Sequence, residues 1–211
     1  IYERTSFKNI YVLPPMGDEG LAIGSAILTA IDFGQDVSWL RNFKMPYFGD
    51  SYCRKEVKFA LQKFSSISFE DVGNSWPEKA AKSVSEGKIC SLFHGRMEFG
   101  PRALGNRSIV ADPGRENIRQ RINSTVKRRP NYQPFCPSIL EEERLRLFKD
   151  SFAHKHMAIA FRMREEFIAD LPCAVHVDGT ARPQFVEEED NPSYYRYLKA
   201  LKELTGYGVS L

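Results

Sequence analysis

Apolar residues change their spacing several times along the chain, and each change predicts an element. The run NIYVLPP is β-branched and ends at paired prolines, as a short strand does. DEGLAIGSAILTAIDFG follows with helical spacing, opened by acids and closed by Gly34. From MPYFGDSY onward helices and strands alternate. SYCRKEVKFALQKF predicts a helix capped by Ser51, and ISFEDV a strand. PEKAAKSVSEG begins at Pro77 and ends at Gly87, a second such helix, and KICSLFHG continues as a buried strand. RSIVAD predicts a strand and RENIRQRINSTVK a helix. Strands are expected around HMAIAFRM and at ARPQFVEE, with a helix over NPSYYRYLKALKELTG. The closing YGVSL reads as the opening of a further strand. The pattern predicts an α/β domain with a mixed sheet over residues 45–211, preceded by a part, 1–44, too small to fold alone.

Composition narrows the possibilities. The chain has 211 residues, 42% hydrophobic and 27% charged, ordinary values for a globule with a real core. No apolar run approaches the roughly 20 residues that span a bilayer, so no membrane partner is expected. A net charge of +3 is too small to imply nucleic-acid binding by itself. Cys53, Cys90, Cys136 and Cys173 form no CxxC pair, which points away from a structural zinc site and toward buried thiols in a reducing, cytoplasmic setting. Cys90 and Cys136 in particular stand in apolar surroundings and are expected in the core.

The charge is concentrated in one place. Between His94 and Arg129 lie nine of the thirty Lys and Arg residues against three acids. Gly95 and Gly100 bracket RMEF, and Pro101 and Gly105 bracket RAL, so this segment is expected to be a glycine-punctuated loop between strands. Arg96, Arg102 and Arg107 rise from it with Asn106 and Ser108 among them, and guanidinium forks match phosphate or carboxylate oxygens. The expectation is that these three arginines converge on an anion, whereas Arg115, Arg119 and Arg121 on the next helix form a solvated face. Glu98 is expected as an exposed loop residue, with a role on a bound magnesium ion as the alternative.

The segments GRMEFGPRALGNRSIVADP, INSTVKRRPNYQPFCPSIL, HVDGTARPQFV and NPSYYRYLKALKELTG closely resemble the carboxy-terminal part of the O-carbamoyltransferases typified by nodulation protein U and by antibiotic-pathway enzymes. MGDEGLAIGSA resembles the last motif of their preceding domain. The resemblance implies that residues 45–211 are a YrdC-like domain with a mixed twisted sheet and flanking helices, and that residues 1–44 are the end of an actin/hexokinase-like transfer domain. It also implies a reaction. Carbamoyl phosphate and ATP with Mg2+ would give carbamoyl adenylate and pyrophosphate, and the carbamoyl group would pass to a hydroxyl of a sugar, a nodulation factor or an antibiotic. Arg102 and Lys127 would act at the reacting phosphates, with Arg96, Asn106, Arg107, Ser108, Arg129 and His176 binding substrate. Asp18 matches a ligand position for divalent iron or manganese in the transfer domain, its partner histidines lying before residue 1; as the start of a helix it serves the helix dipole equally well.

Two departures qualify the likeness. In KRRPNYQPF, Pro130 stands where the family has an acid and Gln133 where it has an arginine. The chain ends at TGYGVSL, where the family continues into a segment expected to close the site. His154 and His156 have only the appearance of metal spacing, and Glu187 to Asp190 read as a solvated loop. Two other functions fit the residues. A basic cleft could bind RNA, though only Phe99 interleaves the arginines as a stacking platform. A non-catalytic module could sense a small phosphate ester.

Overall fold

The computed structural model describes residues 4–7 and 10–211. Asn9 lies outside them, and the rest of the NIYVLPP run is chain without a sheet partner among the described residues, so the strand expected there is not formed. Helix α1 (Glu19–Asp32) begins at Asp18, as the spacing predicts, but buries none of its residues. Helix α2 (Arg54–Leu61) starts later than expected. Its N-cap is Cys53, whose backbone N–H donates to Glu56 Oε2 at 2.8 Å, so Ser51 has no capping role. ISFEDV pairs with no strand among the described residues and leads into a 3-10 turn, Gly73–Ser75.

Helix α3 (Trp76–Ser85) has proline in its first turn, and Gly87 beyond it takes φ 87°. Strand β1 (Cys90–Phe93) then pairs antiparallel with β2 (Arg107–Val110). Only Leu92 of β1 is buried, so this strand has one wet face where a fully buried one was expected. The basic helix is shorter than its pattern: α4 (Asn117–Arg121) passes into a π-helical turn, Ile122–Val126.

The remaining elements form the centre. Strand β3 (Ser138–Leu140), which the spacing did not announce, is followed by the single-turn α5 (Arg144–Leu147) and by the two-residue β4 (Phe161–Arg162). Pro183 divides ARPQFVEE into β5 (Thr180–Ala181) and β6 (Gln184–Val186). Helix α6 (Pro192–Thr205) is capped by Asn191, whose side chain accepts from Tyr194 N–H, and stops at left-handed Gly206 before β7 (Val209–Ser210).

The fold is thus α/β, with the strands of the described residues divided among three small sheets where one mixed sheet was expected. Mixed character resides in the central one, where β3 runs parallel to β6 and antiparallel to β7. That sheet separates two cores, as alternation across a strand requires. Ile139 and Phe185 face Ile118, Ile122, Phe148 and Phe161, whereas their neighbours Leu140 and Val186 face α3 and α6 through Val84, Tyr194, Tyr197 and Leu198. The site loop, residues 94–106, leaves β1, returns at β2 and lies against the N-terminal end of α6.

Candidate functional site

The loop is organised around a buried acid. Glu98 is 9% exposed, and its Oε1 accepts the backbone N–H groups of Leu104 at 2.7 Å, Asn106 at 2.7 Å and Arg107 at 3.2 Å. Glu98 is therefore not an exposed loop residue; one of its oxygens is committed to three donors. Gly105 N–H donates to Ser108 Oγ at 2.9 Å, and Asn106 donates to Arg96 C=O at 2.6 Å while accepting from Asn191 Nδ2 at 2.8 Å. Asn106 and Ser108 thus spend hydrogen bonds on the fold of the loop.

The three arginines of the loop do not converge. Arg96 donates to the carbonyls of Gly49 at 3.1 Å and Phe48 at 3.0 Å. Arg107 donates to His94, Asn106, Asp50 and Gly95 carbonyls and lies 3.7 Å over the Phe93 ring. Backbone carbonyls attract a guanidinium as an anion does, and these two side chains staple the 46–50 segment to the loop. Arg102 alone remains. Its Nε is buried without a hydrogen-bond partner, the kind of group that an incoming anion satisfies.

Arg102 meets its partners from the next element. A cavity of about 140 Å³ is lined by Arg102, Lys127 and Arg129, with Ser108, Cys136 and Tyr194 also on its wall. Among the described residues no aspartate or glutamate side chain lines it. The cations consequently repel one another. Lys127 is held below the usual lysine value of 10.5, first by burial, then by Arg129 and Arg102. Arg129 is lowered too, by burial first, although it donates to Asn123 Oδ1 at 2.7 Å and lies 4.9 Å over the Phe135 ring. Such an arrangement can hold an oxyanion by positioning and electrostatics, with no nucleophile needed.

The other candidates fall elsewhere. His176 bonds Thr180 Oγ1 at 3.1 Å and is not on the cavity wall; its imidazolium is disfavoured by burial first and by Arg182 next. Asp18 is exposed at the start of α1 and joins no group of three metal-capable side chains among the described residues. That matches a ligand whose expected partner histidines lie before residue 1, and among the described residues no carboxylate lines the cavity to meet magnesium. Arg115 and Arg121 are exposed, as expected of a solvated face, whereas Arg119 is half-buried. Arg115 and Arg121 donate to Ser85 and Gly87 carbonyls at the end of α3, and Arg119 to Pro172 and Val175 carbonyls. Glu187 and Asp190 clasp Lys155, and Glu189 clasps Lys44, so that loop is ion-paired. His154 accepts from Ala158 N–H, and His156 Nε2 lies 2.8 Å from Lys44 C=O. Of the four cysteines only Cys173 is fully buried, and Cys136 faces the cations where a core position was expected.

The chain belongs to the carbamoyltransferase C-terminus family, whose pattern matches residues 81–211. It is 58% identical over 212 residues to an uncharacterized protein of Methanocaldococcus jannaschii, covering 99% of this chain and 35% of that protein. It is 34% identical over 208 residues to nodulation protein NolO of Bradyrhizobium diazoefficiens, covering 97% of this chain and 38% of NolO. With 3'-hydroxymethylcephem-O-carbamoyltransferase of Streptomyces clavuligerus the identity is 31% over 205 residues, covering 96% of this chain and 36% of that enzyme. The chain thus spans about a third of the length of the curated relatives it matches. No helix among the described residues is long and apolar enough to cross a membrane.

Proposed function

We propose that the cavity receives the phosphate of carbamoyl phosphate, that water releases this phosphate to leave carbamate, and that the carbamate oxygen attacks the α-phosphate of ATP, expelling pyrophosphate and giving carbamoyl adenylate for transfer to a hydroxyl-bearing acceptor. One observation carries the reading: Arg102, Lys127 and Arg129 surround one cavity that no acidic side chain among the described residues neutralises. Three mutually repelling cations destabilise the empty site, and a phosphate dianion relieves that repulsion while satisfying the buried Arg102 Nε. Gathering cations at the α-phosphate is also what adenylate formation requires, because attack there brings the carbamate anion against the polyanionic nucleotide. In this reading Arg102 and Lys127 act at the reacting phosphates and Arg129 binds. Arg96, Arg107, Asn106, Ser108 and Glu98 act through the loop, as positioning residues. Magnesium rides on the nucleotide phosphates. Residues 1–44 are the end of the transfer domain, and residues 45–211 are the YrdC-like domain of a cytoplasmic enzyme.

The test is calorimetric titration of the full-length protein with carbamoyl phosphate, with and without a non-hydrolysable ATP analogue and magnesium. Arg102→Ala should weaken binding by roughly tenfold or more, the effect of losing a charge-assisted contact of about 1.5–3 kcal/mol, and should abolish pyrophosphate release. Equal affinity in wild type and variant would remove the cavity from the reaction.

Acidity gives a second expectation. Because Lys127 titrates below 10.5, its charge is lost at lower pH than that of an ordinary lysine, and anion affinity should begin to fall before that value is reached. A bound anion favours the ammonium, so alkaline titrations should show proton uptake on binding. Lys127→Arg should keep the affinity level across the same window. A pH profile identical in the two proteins would mean that Lys127 does not touch the anion.

A further inference from the structure

Three local departures from regular structure meet immediately beside the cavity. The π-helical turn ends with Lys127 N–H donating to Ile122 C=O at 2.8 Å. Arg128 then takes φ 48°, a left-handed conformation that a long side chain rarely adopts. Arg129 N–H closes the turn on Asn123 C=O at 2.9 Å. π-turns and non-glycine left-handed residues both cost energy and concentrate at functional sites. In a regular helix, residues two apart point to opposite sides, and Lys127 and Arg129 could not share a cavity.

Asn123 connects these features. It is completely buried, and its amide makes three hydrogen bonds. Its Nδ2 donates to the carbonyls of Asn131 at 3.3 Å and Gln133 at 3.1 Å, while its Oδ1 accepts from Arg129 Nε at 2.7 Å. The two carbonyls require the amide nitrogen on their side, which fixes the oxygen toward the guanidinium. One side chain thus holds both the cation and the 131–133 segment that returns to the cavity wall at Pro134 and Phe135.

We infer that Asn123 is a positioning residue, one that holds Arg129 in the cavity while the left-handed turn at Arg128 brings Lys127 to the same side. The inference rests on the reading that the cavity takes a phosphate-type anion, and it adds the device that assembles two of the three cations. The Arg128 side chain is exposed and does not line the cavity, so its contribution is its backbone conformation.

The experiment uses the full-length protein with inorganic phosphate, pyrophosphate and carbamoyl phosphate as probes, and follows Lys127 by NMR titration of its ammonium. Asn123→Ala should weaken anion binding at least about tenfold, as Arg129→Ala does, and the double variant should lose no more than either alone. Without an anion, release of Arg129 should raise the Lys127 pKa, since Arg129 helps to depress it. Wild-type affinity in Asn123→Ala, or additive losses in the double variant, would overturn the inference. If the wild type binds none of the probes, the cavity reading fails, and the Lys127 titration still decides: a rise supports the positioning role and no change overturns it. Should Asn123→Ala fail to fold, Arg128 decides. Arg128→Gly should keep binding and Arg128→Val should lose it, whereas equal loss in both would show that the Arg128 side chain, not its conformation, matters.

Discussion

Glu98→Ala should lower stability by about 3 kcal/mol or more and abolish anion binding at a residue that does not line the cavity. The size follows from the geometry. One carboxylate oxygen accepts three backbone N–H groups, two of them at 2.7 Å and belonging to Leu104 and Asn106, which are 2% and 3% exposed. Alanine leaves all three donors in a place that little water reaches, and each unsatisfied donor costs about 1–3 kcal/mol. The residues so anchored include those that carry Arg102 past the cavity mouth, so the loop should lose order along with stability. Thermal unfolding is expected to fall by roughly 6–12 °C for a chain of this size. Glu98→Gln keeps an acceptor oxygen but loses the charge, and should lie between wild type and alanine. An unchanged melting temperature in Glu98→Ala would mean that water replaces the carboxylate and that the loop is held by Arg96 and Arg107 alone.

The basic stretch was legible as an anion site, but the sequence does not say which of its cations are free. Arg96, Arg102 and Arg107 are equivalent as letters. What separates them is whether backbone carbonyls lie within reach, and the carbonyls of Phe48, Gly49 and Asp50 come from residues 47 to 57 positions earlier in the chain. Glu98 shows the same limit from the opposite side, since its three donors exist only once the loop has closed. Lys127 and Arg129 were identified through the family resemblance, and their orientation depends on a π-turn and a left-handed arginine that no helical periodicity predicts.

Elements with strong local signals were found where their spacing put them. Helix α6 carries a capping asparagine, a first-turn proline and a terminal glycine, and α3 carries proline and glycine at its two ends. The misses have physical causes. ISFEDV has strand composition but no partner, and pairing, not propensity, makes a strand. Strand β3 is only three residues long and buried on both faces, so it has no alternation to read, yet it is the centre of the mixed sheet.

Gly105→Ala is expected to be as damaging as the loss of Glu98, for a steric reason. Gly105 has φ 111°, which side chains rarely tolerate, and a β-carbon there would lie 2.5 Å from Tyr194 Cδ1 and 2.7 Å from Cγ. The ring cannot give way. Tyr194 is 1% exposed and stacked on Tyr197 with centroids 5.6 Å apart and planes 10° from parallel, inside the core that joins α3 to α6. Backbone strain of about 1–3 kcal/mol and overpacking of about 1–3 kcal/mol fall on one site. The loop can escape only by moving, and its Gly105 C=O bond to His94 and Gly105 N–H bond to Ser108 would move with it. Tyr194 also lines the cavity, so displacement of its ring should weaken anion binding in whatever fraction of the protein still folds. Combining Gly105→Ala with Tyr194→Leu isolates the clash. If the ring is the obstacle, alanine at 105 costs less beside leucine than beside tyrosine, by the overpacking share of about 1–3 kcal/mol. Equal cost in both backgrounds would assign the whole penalty to the backbone conformation, and the close approach of loop and helix would then be incidental to stability.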